Sequence, residues 1–487
     1  MAGGTWSGTD RPVLPGFYMN FEAAALSSIG PGSQGTVIIP VKANWGAVRQ
    51  FVEITSEQGI YDAFSMDQSD AATAPPVLKL ALLGKPKKVL AYRIADATAA
   101  KASVTLKDSA SANVLKLDAK YEGTRGNSFS IIVQTNAVDS AQKDLKLLEG
   151  TSVLKTFTFA GSSVQAAADA INQDTSNVWL MATVLAPGNG TLAAVVGSAL
   201  AGGNSGVSGI AATDYVNALS AMETQNFHVL ALDGVTDTSI QASVVAWTAR
   251  LRSEGKGIVT VLGGSSADDT GADAISRAVT RSATYNHEAI VNVGTGAILA
   301  GASYSSAYIS AYVAGLIAGQ KLSESTTYAV SPFSDVTRRS TRSEQENAVK
   351  NGVFLFVHDG QKVKALRGMN ALSTLRPGQN AAWKKIRTIR VMDTINNDLL
   401  RTAEDSYIGK VNNTEEGRLA LVEAGKQYMQ ALAQAGVIEA QGFDVYLNPA
   451  YYGQGSVLTP APDQVYIKWE AKLTDVMEQI FGTFIVN

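Results

Sequence analysis

The stretch Val465–Asn487 constrains this chain most, because it alternates strictly, breaks briefly and runs on as a second apolar segment. Val465, Ile467, Trp469, Ala471 and Leu473 alternate with Tyr466, Lys468, Glu470 and Lys472, the period of a strand with one buried face. After Asp475–Gln479, the run Ile480-Phe481-Gly482-Thr483-Phe484-Ile485-Val486 is β-prone and almost uncharged, where a domain ordinarily frays into a polar tail. Such a segment must be buried. It predicts either the last strand of the chain's own sheet or an arm added to a neighbouring chain's sheet, since an exposed apolar strand is a template for pairing.

The other end reads the same way. Gly3, Gly4, Gly8, Pro12 and Pro15 make the first residues extended and poorly able to fold alone. Gly16-Phe17-Tyr18-Met19-Asn20-Phe21 then alternates, with Phe17, Met19 and Phe21 on one side. Two adhesive termini predict a subunit linked to its neighbours.

At 487 residues the chain exceeds one ordinary core, and about two to four domains are expected. Lys plus Arg number 40 against 43 Asp plus Glu, so no global field draws nucleic acid or an anionic membrane. The absence of cysteine removes disulfides, thiol catalysis and Cys-ligated zinc together. The first residues lack the basic and apolar regions of a secretory signal, so none is expected. Ala302–Gly319 is the most apolar long stretch, but its serines and tyrosines make it a poor membrane span. Ala311, Gly315 and Gly319 recur every fourth position, which suits a soluble helix packed closely on its neighbour.

Thr36–Val41 and Lys88–Arg93 read as buried strands, with a helix near Ile54–Phe64 between them. From about Ala97 the texture changes to short alternating runs at Ala102–Leu106, Val114–Ala119, Ser128–Gln134 and Leu154–Phe159, punctuated by glycine. This predicts an inserted β-sandwich of about one hundred residues. Around Asp214 the rhythm returns, with helices at Asp214–Met222, Ser239–Arg252 and Ala272–Thr280 leading to strands at Val229–Leu232, Gly257–Leu262 and Ala289–Val293. A mostly parallel sheet follows. In the last part Val363–Arg367 and Ile386–Val391 are expected as strands, and Asp393–Asp405 and Glu415–Ala435 as helices, the latter capped by Thr414 and stopped by Gly436.

Candidates for chemistry are few. His228, His287 and His358 have no metal-ligand spacing and read as structural or exposed. In Gly202-Gly203-Asn204-Ser205-Gly206 the serine stands one position late for a nucleophile elbow. Gly263-Gly264-Ser265-Ser266 follows a strand without a phosphate-binding lysine and reads as a turn. The acidic pairs Asp268-Asp269 and Glu415-Glu416 point their neighbours in different directions, so neither forms an acid/base couple. The basic run Lys384, Lys385, Arg387 and Arg390 reads either as solvated surface or as a docking patch for an acidic partner.

One set of residues joins these pieces: Arg11-Pro12 with Pro15–Tyr18, Gly35–Pro40 followed by Trp45-Gly46, and above all Lys120-Tyr121-Glu122-Gly123-Thr124-Arg125-Gly126-Asn127. Ser331-Pro332, Val353-Phe354, Thr374-Leu375, Tyr407-Ile408-Gly409 and Tyr466–Val486 follow in order. In these the chain resembles contractile tail sheath proteins, in the short form found in Gram-positive tailed phages, defective prophages and phage-tail-like bacteriocins. The resemblance implies a multidomain α/β and α+β protein. A subtilisin-like α/β domain (26–96 and 205–360) carries an inserted β-sandwich (97–204), and a C-terminal sheath domain (361–479) follows, with arms at 1–25 and 480–487. It implies no catalytic residue, cofactor or metal. It implies partners: other copies of the chain, six per ring in helically stacked rings, the tail tube protein, and baseplate and tail terminator proteins, with no nucleic acid and no membrane insertion. The particle would be a virion or phage-tail-like tail, assembled in the host bacterial cytoplasm and contracting to drive the tube through an envelope. The inter-subunit arms would be carried by Phe17, Met19, Phe21, Ile480, Phe481, Phe484, Ile485 and Val486. Lys384, Lys385, Arg387 and Arg390, the helix Glu415–Ala435, or both, would face the tube. The competing expectations are an α/β hydrolase-like enzyme and another self-assembling coat.

Overall fold

The computed structural model describes residues 35–485, together with the backbone of 2–4 and 16–18. The chain divides into two compact units, Ser33–Asp393 with Glu478–Asn487, and Met1–Gly32 with Thr394–Met477. The dividing point falls inside the helix Ile386–Thr402, later than the division expected near 361.

The first unit is built on a seven-stranded sheet ordered Val353–Phe354, Ile290–Val293, Val259–Gly263, Val229–Ala231, Thr36–Val41, Lys88–Arg93 and Phe51–Ile54. Every pairing is parallel except that of Phe51–Ile54, the edge strand, which pairs antiparallel with Lys88–Arg93. The central strands are buried on both faces, as largely apolar runs such as Thr36–Val41 require when helices cover a parallel sheet on both sides. One layer is the helix Ser306–Gly319, buried almost all round, lying against Ala74–Leu83. A Cβ at Gly315 would overlap the Ala81 carbonyl oxygen, and one at Gly84 would overlap the Leu316 nitrogen. The repeat of small residues therefore marks a close helix crossing within the core. Among the described residues no helix is long and apolar enough to cross a membrane.

Inserted between Lys88–Arg93 and Ala212–Met222 are a four-stranded and a three-stranded antiparallel sheet, which share one core with the helix Val164–Asn172. Their strands alternate as expected: Leu115, Leu117 and Ala119 face in from one sheet, Phe129, Ile131 and Val133 from the other. Gln142–Glu149, Leu180–Val184 and Val195–Ala199 complete the sheets beyond the strands legible in the sequence.

The motif Gly123–Asn127 is the joint between this sandwich and the sheet that hosts it. A side chain at Gly123, where φ is 140°, would overlap the Asn44 carbonyl oxygen. Arg125 makes a two-pronged ion pair with Glu149 at 2.8 and 2.9 Å and lies over the rings of Trp45, Tyr61 and Trp179. Asn127 exchanges two hydrogen bonds with Gly203, at 2.9 and 2.8 Å. Arg93, wholly buried at the end of its strand, donates to the carbonyls of Gly46 (2.6 Å), Glu122 (2.7 Å) and Ser205 (3.1 Å). Burial pushes its pKa down to about 10, with nearby Glu122 acting in the opposite direction, so it stays charged.

In the second unit, Thr414 caps the helix Glu415–Gln434, which buries Val422, Gly425, Tyr428, Met429 and Leu432. A two-stranded antiparallel sheet, Asp444–Leu447 with Ile467–Glu470, packs on that face, Val445 opposite Trp469.

One expected strand is a helix. Ile386–Val391 opens the helix Ile386–Thr402. Ile386 with Ile389, and Arg387 with Arg390, are spaced three apart, so the segment satisfies a helical period as well as alternation, and the helix buries both pairs.

Two outcomes follow for the packing. Gly315→Val should lower stability by about 1–3 kcal/mol through overpacking at the helix crossing, read by thermal or denaturant unfolding. Arg93→Met should remove at least about 3 kcal/mol by orphaning buried carbonyls, and limited proteolysis should cut first near 96–101 and 204–208.

Candidate functional site

Strand order reverses between Thr36–Val41 and Val229–Ala231, and the crevice beyond their carboxyl ends is where an open α/β sheet commonly holds a ligand. A cleft of about 800 Å³ opens there, lined in part by Lys42, Asp70, Thr124, Ser205, Tyr215 and Asp237. Its polar groups are taken up by one another. Lys42 lies 3.2 Å from the buried Asp233, which also accepts from Thr73 (2.9 Å) and Tyr215 (2.8 Å). The Ser205 hydroxyl donates to Asp70 at 2.8 Å and accepts from the Thr124 amide at 3.1 Å.

The histidines serve the backbone: Nδ1 of His228, His287 and His358 accepts from the amides of Thr36, Ala289 and Gly360 at 3.3, 3.1 and 3.0 Å. Burial, helped by the Arg390 charge, pushes His228 down to about 4, so it is neutral at pH 7. The two acidic neighbours do point apart. Asp268 completes the cap of Ser266–Thr270, whereas Asp269 accepts from Ser306 at the start of Ser306–Gly319. Burial raises Asp269 to about 6 against those hydrogen bonds. Among the described residues no group of three or more His, Asp or Glu is placed to hold a metal ion.

The terminal segment is different. Beyond Thr474, whose hydroxyl donates to the Val437 carbonyl at 3.0 Å, no helix or strand is formed through Ile485. Ile480, Phe481, Phe484 and Ile485 are 84, 90, 90 and 77% exposed. Among the described residues this segment pairs with no strand and its apolar side chains are exposed; Val486 lies outside the described residues. At the other end Gly16–Tyr18, which contains Phe17, pairs in parallel with Ala2–Gly4, while Met19 and Phe21 lie outside the described residues.

The basic run is engaged within its own unit. Lys384 donates to the Ser373 carbonyl at 2.9 Å; Arg387 and Arg390, both buried, donate to the carbonyls of Leu322 (3.1 Å) and Gln320 (2.6 Å). The Gln320 and Leu322 carbonyls lie just past the C-terminal end of Ser306–Gly319, where the helix dipole favours cations.

Lys385 leads to a group that the sequence did not single out. Its ammonium lies 3.0 Å from the Glu478 carboxylate, which also takes Arg367 at 2.8 and 3.0 Å and the Thr327 hydroxyl at 2.7 Å. The Glu478 side chain is only 7% exposed, one residue before Gln479 and two before the exposed arm. Burial works to raise its pKa, but the hydrogen bonds from Thr327, Lys385 and Arg367 together outweigh it and hold the carboxyl below the ordinary glutamate value. A buried acid within a "short break" of polar residues carries no sequence signal, because its partners Lys385, Arg367 and Thr327 are all far from it along the chain.

Comparison with known proteins defines the class. Family models described as the phage tail sheath β-sandwich, central and C-terminal domains match residues 95–205, 208–371 and 378–487. A sheath tail protein from Desulfitobacterium hafniense is 26% identical, with a TM-score of 0.74 over 95% of this chain and 98% of its own. The phage-like element PBSX protein XkdK of Bacillus subtilis is 27% identical, over 91% of this chain and 92% of its own. The helical sheath of the anti-feeding prophage in its contracted state shares the fold at 12% identity, with a TM-score of 0.57 over 98% of this chain and 100% of its own. Family models and relatives together define a structural protein of the phage tail sheath class, not an enzyme. The chain belongs to the phage tail sheath proteins.

Because Glu478 titrates lower in the folded chain than in the unfolded one, its stabilisation is present above the ordinary glutamate pKa and lost as pH falls through the folded value. Acid titration of thermal stability should therefore fall less steeply for an E478Q variant than for the parent chain.

Proposed function

We propose that this chain is the repeating subunit of a contractile sheath, in which six copies form a ring around a tail tube and rings stack helically. Contraction would drive the tube through a bacterial envelope. The observation that carries this reading is the exposed apolar arm Ile480–Ile485 on a chain whose sheet Asp444–Leu447/Ile467–Glu470 has two strands among the described residues. A two-stranded sheet is marginal alone and gains by taking further strands. A neighbour's arm supplies one, and the segment containing Phe17 is the candidate for another, in the manner of strand addition. Arm residues Met19, Phe21 and Val486 belong to the same proposal.

The energetics suit a machine that assembles on a template. Burying Ile480, Phe481, Phe484 and Ile485 contributes about 6–12 kcal/mol. Ordering about seven residues costs about 7–14 kcal/mol. A single arm is thus near balance, and subunits stay soluble until several contacts form together and tethering raises the effective concentration of each strand. No nucleotide is required, because the energy resides in the difference between two assembled states.

Of the two candidate tube-facing surfaces, the helix Glu415–Gln434 is favoured over Lys384, Lys385, Arg387 and Arg390, whose side chains are engaged within their own unit. The helix offers exposed Leu419 beside its acidic first turn. The α/β body is read as a subtilisin-like scaffold without catalysis, supported by its largely parallel sheet with helices on both faces. Baseplate and tail terminator proteins are the further partners, and assembly takes place in the bacterial cytoplasm before the tail is complete.

The test is negative-stain electron microscopy of the purified chain with and without the tube protein. Wide hollow helical tubes are expected from the full chain, and a folded monomer that does not polymerise from a deletion of 480–487. Flat lattices, or monodisperse particles with tube present, would overturn the reading.

A further inference from the structure

The arm needs a fixed root, and the residues around Glu478 form one. Three side chains meet at a single carboxylate: Arg367 with two nitrogens, Lys385 with its ammonium, and Thr327 through its hydroxyl. Thr327 is itself held, its oxygen accepting from the Gly368 amide at 3.0 Å. The cluster borders a cleft of about 480 Å³ lined by Tyr328, Arg342, Glu346, Lys350 and Gln479. Immediately beyond it the chain bears only exposed apolar side chains through Ile485, apart from Gly482 and Thr483.

We propose that Glu478 is the positioning residue of the C-terminal arm: its carboxylate, clamped by Arg367, Lys385 and Thr327, fixes where the arm leaves the subunit and takes the pull of a second copy bound to it. This rests on the strand-exchange reading above and adds the fixed end that reading lacks. Charge-assisted hydrogen bonds from a forked guanidinium resist sliding in a way that apolar contacts do not. The position of the clamp sets the reach. With Glu478 held, residues 479–485 span at most about 25 Å when extended, so the acceptor sheet of the second copy must lie within that radius of the cluster. With Glu478 released, the free tether grows by several residues toward Thr474, the search volume widens, and the effective concentration of the arm at its acceptor falls.

The full chain contains no cysteine, so one introduced thiol reports one place. A nitroxide at Gln479→Cys and, separately, at Phe484→Cys is followed by electron paramagnetic resonance in the monomer, with E478A and Thr327→Val as the perturbing changes. The second change removes one donor while leaving both cations in place, and so serves if E478A fails to fold. Restricted motion at 479 and free motion at 484 are expected in the parent, with 479 becoming mobile in both variants while circular dichroism is unchanged. Sedimentation should then show the critical concentration for assembly rising roughly tenfold in E478A.

If the 479 label moves equally in parent and variants, or if E478A assembles at the parent concentration while the 480–487 deletion does not, the clamp has no such role. Parent-like assembly of the deletion itself would instead sink the strand-exchange reading.

Discussion

Arg93 is the interaction on which the larger unit depends. A guanidinium at the end of a buried strand, wholly shielded from water, is tolerable only because three carbonyls from three separate stretches of chain converge on it. Gly46 belongs to the loop after the first sheet strand, Glu122 ends a strand of the sandwich, and Ser205 lies on the chain returning from it. The residue therefore ties host sheet, insertion and return path at one point. Arg125, caged by Trp45, Tyr61 and Trp179 and paired with Glu149, repeats the device one layer further into the sandwich. Two buried cations, each held by several partners drawn from separate stretches of chain, fix the orientation of the sandwich through buried contacts.

Much of this plan is legible in the residues, and the failures have physical causes. Largely apolar runs such as Thr36–Val41 and Val259–Gly263 announce strands buried on both faces, and helical periods between them announce a parallel sheet. The motif at Gly123–Asn127 is specific because each residue in it answers to a separate constraint: a backbone approach, a hydroxyl network, a cation cage, a close contact with Ala102 and Ala119, and an amide pair. Gln142–Glu149 escaped because its charged residues mask the pattern, with Asp144 buried and satisfied by Asn136 and Thr158.

The misread segment Ile386–Val391 is instructive in the same sense. Its residues satisfy both a period of two and a spacing of three, and only tertiary acceptors for Arg387 and Arg390 decide between them. For the same reason the basic run looked like surface. Four cations in a short stretch suggest a solvated face unless carbonyl oxygens and a carboxylate are brought to them from elsewhere, and here they come from Gln320, Leu322, Ser373 and Glu478. The terminal segment, by contrast, is visible as an apolar run without knowledge of the fold, whereas its choice between the chain's own sheet and a neighbour's is not written in its residues.

The two chain crossings that lead into and out of the sandwich are zipped to one another. Ala100 bridges Asn204, Ser103 bridges Ala201, and the Asp96 amide bonds the Gly206 carbonyl at 2.7 Å. To the host sheet the whole insertion is equivalent to a short loop, whatever its length, since closing such a loop depends on the separation of its ends. That makes the sandwich a module in the evolutionary sense. Its outer parts can be enlarged or exchanged at a nearly constant entropic cost so long as the carbonyls that hold Arg93 are kept, so lineages built on this scaffold are free to diversify what they display there while the host sheet stays the same.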